Sequence, residues 1–382
     1  MAKTQLRVAN VIEEGKLGGP QVRISIVAAS LKNSVQTIVV MPKENSKEFR
    51  KRCDSLAVTY RILPITRITK EWRVALRYVL FFPLEILWLI SVLKNEEVDV
   101  VHISGGSWQY KGVIAGKLAG KKVLWHLNDT SMPIIIRWIF YIMAYMSDGF
   151  IFASERSRSY YRPLIKKRKP EFVIPAPVDT TQFNPQENYI GDEDCIEKWG
   201  GKIVVGTVAN VNPIKGLETF IRVAALYKGE QDVFFVVIGP VYANQKNYYE
   251  SLKRLCNELG VQNIEFLGAR SDVRPLVKRF DIYLCTSLAE SSPISVWEAM
   301  AMGTPVISTD VGDVPLYVRD GDNGFIVNVE DSEALSERLK LLTSNSELRH
   351  QFGARCREVV VSELGLGRCA ARHLNAYKYI LE

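Results

Sequence analysis

Short apolar runs alternate regularly with longer helical segments along this chain, and this pattern limits the folds that it can adopt. Five apolar runs occur in the first half and five in the second. They are continuous in Val, Ile and Phe, as expected for strands of a parallel sheet that helices cover on both faces. The alternation therefore predicts a doubly wound α/β architecture. The runs are LRVANVI, QTIVVMP, VDVVHIS, KVLWHL, GFIFAS, IVVGTVA, VFFVVIG, NIEFLG, DIYLCTS and TPVIST.

The alternation is interrupted once, between about Pro175 and Gly201. The segment IPAPVDTTQFNPQENYIGDEDC is rich in Pro, Asn, Asp and Gly, a composition typical of loops and linkers. We therefore predict two Rossmann-like domains, over residues 1–185 and 186–365. In sheets of this kind ligands bind beyond the carboxyl ends of the strands, so the residues that follow each strand are candidates for a site.

The cysteines and the N-terminus favour a cytoplasmic protein. The six cysteines are scattered and form no CxxC motif, which argues against a disulfide framework or a zinc site. The opening residues MAKTQLRVANVIEEG lead from a polar start into a strand, unlike a signal peptide. We expect reduced thiols at Cys53, Cys195, Cys256, Cys285, Cys356 and Cys369.

Two segments of the first half are strongly apolar, VALRYVLFFPLEILWLISVL and MPIIIRWIFYIMAYM. Arg77, Pro83 and Glu85 interrupt the first and Arg137 the second. Neither therefore offers the roughly 20 uninterrupted apolar residues of a membrane-spanning helix. The interruptions favour a soluble or peripheral protein.

Charge is distributed unevenly between the two halves. Residues 1–180 contain 28 Lys and Arg against 15 Asp and Glu, a difference of +13. The totals of 49 and 42 leave 21 basic and 27 acidic residues for 181–382, a difference of −6. A basic half can face anionic lipid, nucleic acid or an anionic substrate, or it can be an ordinary solvated surface.

The stretch AESSPISVWEAMAMGTP places two carboxylates around a predicted helix start. Ser292 is the predicted N-cap, Pro293 the first helical residue and Gly303 the stop. A helix N-terminus offers free N–H groups and a positive dipole end, which suit a diphosphate. Glu290 precedes this helix and Glu298 lies in its second turn, so the two carboxylates are not expected to act on one bond as an acid/base pair.

The longer stretch ESSPISVWEAMAMGTPVIST resembles the Glu-x7-Glu motif of retaining GT-B glycosyltransferases of the large glycosyltransferase family 4. The segments GGPQVRI, VDVVHIS, IPAPVDTTQF, PIKGLETFI and VGDVPLYVRDGDNGFIV resemble further motifs of that family in the family's order, so the resemblance covers nearly the whole chain. It implies a GT-B fold, with two Rossmann-like domains facing across a cleft. It also implies that residues 366–382 form a helix that crosses back to the N-terminal domain.

The resemblance implies a role for each residue of the motif. Glu290 would contact hydroxyls of the donor sugar and Glu298 the ribose of the nucleotide. Lys215 would neutralise the leaving diphosphate, together with an Arg that this chain replaces by Asn210. The remaining donor-binding residues are expected to be Ser292, Ile294 and Ser295 at the helix start and Arg270 in the loop GARSD.

The N-terminal domain is expected to contribute a Gly-Gly loop and a catalytic loop. Gly18 and Gly19 would let the backbone approach the phosphate or the sugar. The family has a His-Asp pair after the strand KVLWHL, where this chain has WHLNDTSMP. Asn128 aligns with the family's His, and His126 lies two residues earlier on the same side of an extended segment, so either could face the site.

The other three histidines receive weaker assignments. His102 ends a neighbouring strand and could either contact the site or be buried in the core. His350 and His373 lie in polar helical segments and are predicted to be at the surface.

The resemblance implies a retaining hexosyltransferase that moves a sugar from a nucleotide-diphosphate sugar to a glycan or lipid-linked acceptor. UDP-sugars are favoured as donor and GDP-sugars are possible. We expect no cofactor, no metal and no nucleic-acid partner. The basic N-terminal half and its aromatic-rich helices suggest peripheral contact with an anionic membrane on its cytoplasmic side, although both segments could be ordinary core helices.

Other functions remain open at this stage. A nucleotide-sugar epimerase has the same architecture, and a catalytically silent binder or partner subunit would be compatible with Asn210 and the displaced His126. A glycoside hydrolase is disfavoured by the separation of the two glutamates. A dehydrogenase is disfavoured because no GxGxxG follows the opening strand.

Overall fold

A computed structural model describes residues 5–68, 72–130, 132–133, 136–166 and 168–382. The chain forms two compact units: unit 1 comprises Met1–Ala176 with Leu366–Glu382, and unit 2 comprises Pro177–Gly365. The change from one unit to the other lies at Ala176–Pro177, inside the predicted linker and before the predicted boundary at residue 185. The last 17 residues, 366–382, thus belong to the first unit.

Unit 1 contains a seven-stranded parallel sheet in the order β3-β2-β1-β4-β5-β6-β7. The first strand is central, and the chain adds strands on one side of it before crossing to the other. The strands are β1 (Leu6–Val11), β2 (Val35–Pro42), β3 (Thr59–Leu63), β4 (Val100–Ile103), β5 (Lys122–Leu127), β6 (Gly149–Phe152) and β7 (Glu171–Val173).

Helices form two groups in unit 1. The helices are α1 (Gly19–Leu31), α2 (Lys47–Ser55), α3 (Trp72–Asn95), α4 (Tyr110–Leu118), α5 (Arg137–Met146), α6 (Glu155–Tyr161) and, at the C-terminal end, α15 (Leu366–Tyr379). Helix α1 packs against α2 and α15, whereas α4 packs against α3 and α5. The crossovers into β2 and into β4 move in opposite directions along the sheet, so right-handed connections place these groups on opposite faces.

Unit 2 repeats the same plan with a six-stranded parallel sheet in the order β10-β9-β8-β11-β12-β13. Its strands are β8 (Ile203–Val208), β9 (Val233–Ile238), β10 (Ile264–Gly268), β11 (Ile282–Cys285), β12 (Val306–Thr309) and β13 (Gly324–Val327). Its helices are α7 (Glu193–Lys198), α8 (Leu217–Leu226), α9 (Lys246–Leu259), α10 (Arg274–Lys278), α11 (Ile294–Ala301), α12 (Val314–Tyr317), α13 (Ser332–Thr343) and α14 (Ser346–Val359), followed by a π-helical turn at Val360–Leu364.

All ten predicted strands are confirmed, and three observed strands were not predicted. The three are β3, β7 and β13, and each lies at an edge of its sheet. Edge strands have one neighbour and need not bury both faces. Strand β3 (TYRIL) mixes polar with apolar residues, and β7 and β13 have only three and four residues. Strand β3 lacks the continuous apolar run that identified the others, whereas β13 (GFIV) is as apolar as the predicted strand β6 (GFIF) and was missed although its composition allowed it.

Helix α3 is the one described helix long and apolar enough to cross a membrane by length and composition. This differs from the expectation that charged residues and Pro83 interrupt the segment. Pro83 is accommodated inside the helix, and the Glu85 carboxylate is buried in an ion pair with Lys111. The helix connects β3 to β4 of one sheet, and Leu89 and Leu93 are fully buried in the core of unit 1.

Candidate functional site

The strand order of unit 2 creates a crevice at the carboxyl ends of β8 and β11. These strands are neighbours, yet the chain leaves them in opposite directions along the sheet. In open α/β sheets, ligands bind at such a point. The two loops that follow the strands contain Asn210, Lys215 and Glu290, so the topology brings predicted site residues to one edge.

Backbone contacts hold the two loops together. Gly216 has a φ of 58°, and a Cβ at this position would overlap the carbonyl oxygen of Thr286. The Leu288 amide donates to the Ile214 carbonyl at 2.8 Å. The Thr286 hydroxyl donates to the carbonyl of Lys215 at 3.2 Å. Only glycine allows this close approach, which fixes the backbone from which the Lys215 side chain extends.

Lys215 and Glu290 form an ion pair at this edge. The Lys215 Nζ lies 2.5 Å from Glu290 Oε1, and the Ser287 hydroxyl donates to the same oxygen at 2.9 Å. The side chains retain 20% and 15% of their exposure, so both groups can be reached by a ligand. An ammonium that can donate to phosphate oxygens thus lies beside a carboxylate that can accept from sugar hydroxyls.

Helix α11 begins one residue later than predicted. Pro293 is the N-cap, with an extended backbone (φ −76°, ψ 102°), and the helix starts at Ile294. The predicted cap, Ser292, instead accepts a hydrogen bond from the Trp297 indole N–H at 3.2 Å. The amides of Ile294 and Ser295 lie in the first helical turn, where no intrahelical acceptor is available. They are the groups that an anion would bind.

The rest of the motif follows the prediction more closely. Gly303 has a φ of 77° and follows the C-cap Met302, so it ends the helix as expected. The Tyr283 hydroxyl donates to the Ser295 hydroxyl at 2.9 Å and accepts from the Val208 amide at 3.2 Å, which ties the first turn of α11 to the end of β8. Glu298 lies on the helix itself and is half-buried. The two glutamates therefore extend from different elements.

Arg270 and Asn210 contribute less directly to this group. The Arg270 guanidinium pairs with Asp192 at 2.7 Å and donates to the carbonyls of Leu267 and Ala269. These contacts join it to α7 and to its own loop. Asn210 follows β8 and is half-buried, and its side-chain amide has no hydrogen-bond partner in the part of unit 2 that the structure describes.

In unit 1 the predicted residues lie at the start of α1 and at the end of β5. Gly18 is the N-cap of α1 and Gly19 its first residue. One nitrogen of Arg23, Nη1, lies 2.6 Å from His126 Nε2 and donates to Asn128 Oδ1 at 2.9 Å. The two side chains thus point to the same side of the strand, as their spacing predicts. His126 is fully buried, whereas Asn128 is half-buried.

The prediction that His373 lies at the surface is wrong. His373 is fully buried on α15, where its Nδ1 lies 2.9 Å from the carbonyl of Cys369. The side chains of Cys369, His373 and Tyr377 recur every four residues and form the apolar face that packs on the sheet. This i, i+4 spacing is the signal that could have identified the burial. His350 is exposed, as predicted.

Three polar residues near the carboxyl edge of unit 1 were not proposed as site residues, although Asp129 follows Asn128 in the segment aligned with the family's His-Asp pair. Arg23 is buried within the apolar run QVRISIV of α1. Asp129 accepts from the Tyr161 hydroxyl at 2.5 Å and from Ser107 at 3.2 Å, and burial raises the pKa of its carboxyl. Glu13 follows β1, and burial raises its pKa to about 7. A charged residue inside an apolar run was the available signal for Arg23 only.

Comparison with protein families gives two adjacent matches. Residues 17–182 match the model described as Glycosyltransferase Family 4, and residues 194–359 match Glycosyl transferases group 1. The lipopolysaccharide core biosynthesis glycosyltransferase LpsE of Rhizobium meliloti is 28% identical over 150 residues, 39% of this chain and 42% of that protein. An N-acetyl-alpha-D-glucosaminyl L-malate synthase of Bacillus anthracis is 25% identical over 46% of this chain and 45% of that protein. Each of these two matches spans less than half the length of the relative.

A third relative matches over most of its length. It is the N,N'-diacetylbacillosaminyl-diphospho-undecaprenol alpha-1,3-N-acetylgalactosaminyltransferase of Campylobacter jejuni, 23% identical over 86% of this chain and 87% of that protein. Among solved structures, Anabaena HepE in complex with UDP has a TM-score of 0.82 at 18% identity and covers 98% of this chain and 100% of its own. A glycosyltransferase from Rickettsia africae has a TM-score of 0.83 at 20% identity and covers 99% of both chains. The chain belongs to glycosyltransferase family 4 and has the two-domain α/β GT-B fold.

Proposed function

We propose that this chain is a retaining, metal-independent hexosyltransferase that moves a sugar from a nucleotide-diphosphate sugar to a glycan or lipid-linked acceptor in cell-surface polysaccharide or glycoconjugate synthesis. The observation that carries the proposal is the Lys215–Glu290 pair beside the N-terminus of α11, at the switch point of the sheet in unit 2. Cation, carboxylate and free amides at one edge match the phosphate and hydroxyl groups of such a donor.

Charge neutralisation at the diphosphate comes from the protein in this mechanism. Negative charge grows on the diphosphate as the bond to the sugar breaks, and Lys215 and the amides of Ile294 and Ser295 stabilise it. Glu290 holds Lys215 in place and accepts from a sugar hydroxyl. Where the family has a second cation this chain has Asn210, so Lys215 supplies most of the formal positive charge.

A UDP-sugar is the favoured donor. Three of the similar structures are HepE complexes that contain UDP, UDP and glucose, or UDP-glucose. A GDP-sugar is the second choice, since the residues discussed above contact phosphate, ribose and sugar and do not select the base. The relatives described above are named as transferases or a synthase, which gives no support to an epimerase or to a silent partner subunit.

The acceptor is expected to be presented at an anionic membrane surface. Helices α3 and α5, which both pack on α4, expose many large apolar side chains. Basic residues are interspersed among them, with Arg73 over the Trp72 ring and Lys166 over the Tyr141 ring. This mixture suits insertion into a headgroup region, which would place the enzyme on the cytoplasmic face. The exposed residues are Trp72, Leu76, Val79, Leu80, Phe81, Leu84 and Leu87 on α3 and Trp138, Ile139, Ile142 and Tyr145 on α5.

The donor is identified by a panel of nucleotide sugars. Thermal shift selects those that bind, and mass spectrometry then detects transfer to lipid-linked and soluble glycan acceptors, with and without EDTA. We expect one UDP-sugar to support transfer that EDTA does not reduce. Turnover of the nucleotide sugar to an epimer without an acceptor, or binding without any turnover across the panel, would overturn the proposal.

Membrane contact is tested by sedimentation with vesicles of phosphatidylcholine alone or with phosphatidylglycerol. We expect the wild type to sediment with the anionic vesicles, and Trp138→Ser and Leu87→Ser to sediment less. Leu226→Ser is the matched control, because Leu226 is 56% exposed on a helix of unit 2 and Leu87 is 62% exposed. Equal sedimentation of all variants, or no difference between the two vesicle types, would contradict membrane contact through this surface.

A further inference from the structure

The guanidinium of Arg23 is buried without a carboxylate. Only 3% of the residue is exposed, and no acidic group of the described chain lies within ion-pair distance. Its partners are neutral: His126 Nε2 at 2.6 Å, Asn128 Oδ1 at 2.9 Å and the Ser104 hydroxyl at 3.4 Å. Burial lowers the pKa of Arg23 to about 10, so the group is still charged at pH 7. A guanidinium carries only hydrogen-bond donors, so a buried one is stable only where each of its partners is an acceptor.

This requirement sets the proton positions of two histidines. Arginine can only donate, so His126 Nε2 accepts and the neutral ring carries its proton on Nδ1. That nitrogen lies 3.1 Å from His102 Nε2, which therefore accepts, and His102 carries its proton on Nδ1. His102 Nδ1 then donates to the Tyr377 oxygen at 2.8 Å. The chain of hydrogen bonds runs in one direction, from α1 through β5 and β4 to α15.

The opposite direction is unfavourable, and the position of the Asn10 amide supports the direction given. The opposite direction would set two N–H groups against each other at 2.6 Å between Arg23 and His126. The side-chain nitrogen of Asn10, Nδ2, lies 3.4 Å from His102 Nδ1. The buried side-chain oxygen of Asn10 has no hydrogen-bond partner in the described residues. Amide nitrogen and oxygen are assigned by their contacts, and the rotated amide would accept from His102 Nδ1. Burial and Arg23 also lower the pKa of both imidazoles, which keeps them neutral.

The same reasoning disfavours a metal ion at this cluster. His102, His126 and His373 have ring nitrogens within 4.8 Å of one another, a spacing that could suit a cation. A metal on His126 Nδ1 would leave the proton on Nε2, directed at the donor-only Arg23. It would also add two positive charges beside an unpaired guanidinium in a buried region. The cluster is therefore better explained as a hydrogen-bond relay.

We propose that Arg23 is a positioning residue, which with the relay His126–His102–Tyr377 holds the Asn128 amide in the one orientation that presents its nitrogen to the substrate. Because Arg23 takes Asn128 Oδ1, the amide nitrogen faces away from it, and this buried nitrogen has no partner in the described part of unit 1. Asn128 then donates to an oxygen of the substrate, such as a sugar hydroxyl. The inference rests on the proposed glycosyl transfer.

The relay also gives α15 a part in the reaction. Tyr377 is its terminal acceptor, and it belongs to the last 17 residues of the chain, which return to unit 1. Removing the Tyr377 oxygen leaves His102 Nδ1 with only the more distant Asn10 and weakens the preference for one direction. The active-site amide is thus supported by a residue 249 positions later in the chain, since 377 − 128 = 249.

The test compares Arg23→Met, Arg23→Lys and Tyr377→Phe with Tyr379→Phe, a matched control on the same helix that is 58% exposed. We expect kcat to fall about 100-fold in Arg23→Met and about 3- to 10-fold in Tyr377→Phe. The KM for the nucleotide sugar should stay within about threefold, because the groups proposed to bind its diphosphate and ribose lie in unit 2. Tyr379→Phe should match the wild type. Unchanged kcat in Arg23→Met and Tyr377→Phe would overturn the proposal. It would also be overturned if kcat and thermal stability fell together in Arg23→Met and fell as far in Arg23→Lys.

A second measurement is independent of turnover. Nitrogen-15 NMR of the histidines in the whole protein should show Nδ1–H tautomers for His102 and His126, with mixed tautomers in Tyr377→Phe. An Nε2–H tautomer at His126 in the wild type would overturn the relay. If the wild type binds UDP but transfers no sugar while these tautomers are observed, the proposed function fails and the relay stands.

Discussion

The two units place different groups at the carboxyl ends of strands that follow the same order. In unit 2 the edge has a partly exposed ion pair, Lys215 and Glu290, next to the free amides of a helix. In unit 1 the edge has a buried cation, Arg23, surrounded by neutral imidazoles and an amide. The first arrangement can exchange its internal contacts for those of a charged ligand. The second cannot, and is suited to holding one side chain in one orientation.

The difference shows that one topology can serve two physical purposes. A switch point collects loops at a sheet edge whatever their sequences are. Exposed charges at a switch point can bind a ligand, because the ligand can replace their partners at modest cost. Buried polar groups at a switch point hold a side chain in one orientation, because leaving any of them without a partner is unfavourable. Substitutions in unit 2 should therefore alter binding and turnover separately, and changes of protonation should affect unit 1 mainly through stability.

The largest effect is expected from removing the cation of unit 2. Lys215→Met should lower kcat about 10²- to 10³-fold, because Asn210, which stands where the family has a second cation, carries no charge to replace it. Steady-state kinetics with the identified donor measures this, with Lys228→Met as an exposed control. A loss of less than about fivefold would show that the helix N-terminus suffices and that the ion pair has a structural role.

Removing the charge of Glu290, the ion-pair partner of Lys215, should have a smaller effect, and one on turnover and not on nucleotide binding. Glu290→Gln keeps an oxygen that can accept from Ser287 but weakens the hold on Lys215 and on the sugar hydroxyl. We expect kcat to fall about 10- to 100-fold and the Kd for UDP to change less than threefold. Calorimetry with UDP measures the affinity and steady-state kinetics measures kcat. Equal losses of kcat and of UDP affinity would contradict a contact of Glu290 with the sugar.

Acid should destabilise unit 1 through its imidazoles. The pKa of His373 is lowered to about 3 and those of His102 and His126 are lowered well below 6.5, with burial as the main cause. The unfolded state therefore binds more protons, so stability is fully present above pH 6.5 and falls as pH decreases, by about 1.4 kcal/mol per pH unit for each imidazole.

Glu13 opposes this trend. Its pKa is raised from 4.5 to about 7, so its contribution is present below pH 4.5 and is lost as pH rises through 7. Urea unfolding between pH 5 and 8 measures the net slope for unit 1. His373→Gln should reduce the slope of the unfolding free energy against pH below pH 6.5 by an amount equivalent to about one proton. A stability that does not change between pH 5 and 6.5 in both proteins would contradict the neutral relay.

A further effect of about tenfold is expected at the second glutamate. Glu298→Ala should weaken UDP binding by roughly that factor, because a ribose hydroxyl loses a charged acceptor. Turnover at saturating donor should change little. Calorimetry with UDP measures it, with the exposed Glu337→Ala on α13 as control. Equal affinity in wild type and Glu298→Ala would refute the ribose assignment.

The smallest effect is expected from restoring the family's second cation. Asn210→Arg should tighten UDP binding about two- to fivefold at low ionic strength, and the gain should shrink in 0.5 M salt. Titration at two salt concentrations measures the difference. Weaker binding in the variant would show that the half-buried position of Asn210 has no room for a guanidinium.

Features set by neighbouring residues could be predicted well. The central strands were identified because burial on both faces requires continuous apolar runs. The edge strands β3 and β7 were missed because they mix polar with apolar residues, whereas β13 (GFIV) was missed despite its apolar sequence. The Glu-x7-Glu motif was found because Glu290, Glu298 and Gly303 lie close together in the sequence. The N-cap was placed one residue early, since Ser292 satisfies its hydroxyl with Trp297 and Pro293 takes the cap position.

Features set by distant residues could not be predicted. The Arg23 relay joins α1, β5, β4 and α15, and no local pattern connects residue 23 with residue 377. His373 was placed at the surface because its neighbours in sequence are polar, whereas its neighbours in space are His102 and Tyr377. The alternation of apolar runs was enough to predict the architecture, and the resemblance carried by the Glu-x7-Glu motif was enough to predict the family. Only the tertiary structure decided which side chains are buried together, and therefore which nitrogen carries each proton, because a hydrogen-bond direction depends on every partner in the chain of contacts.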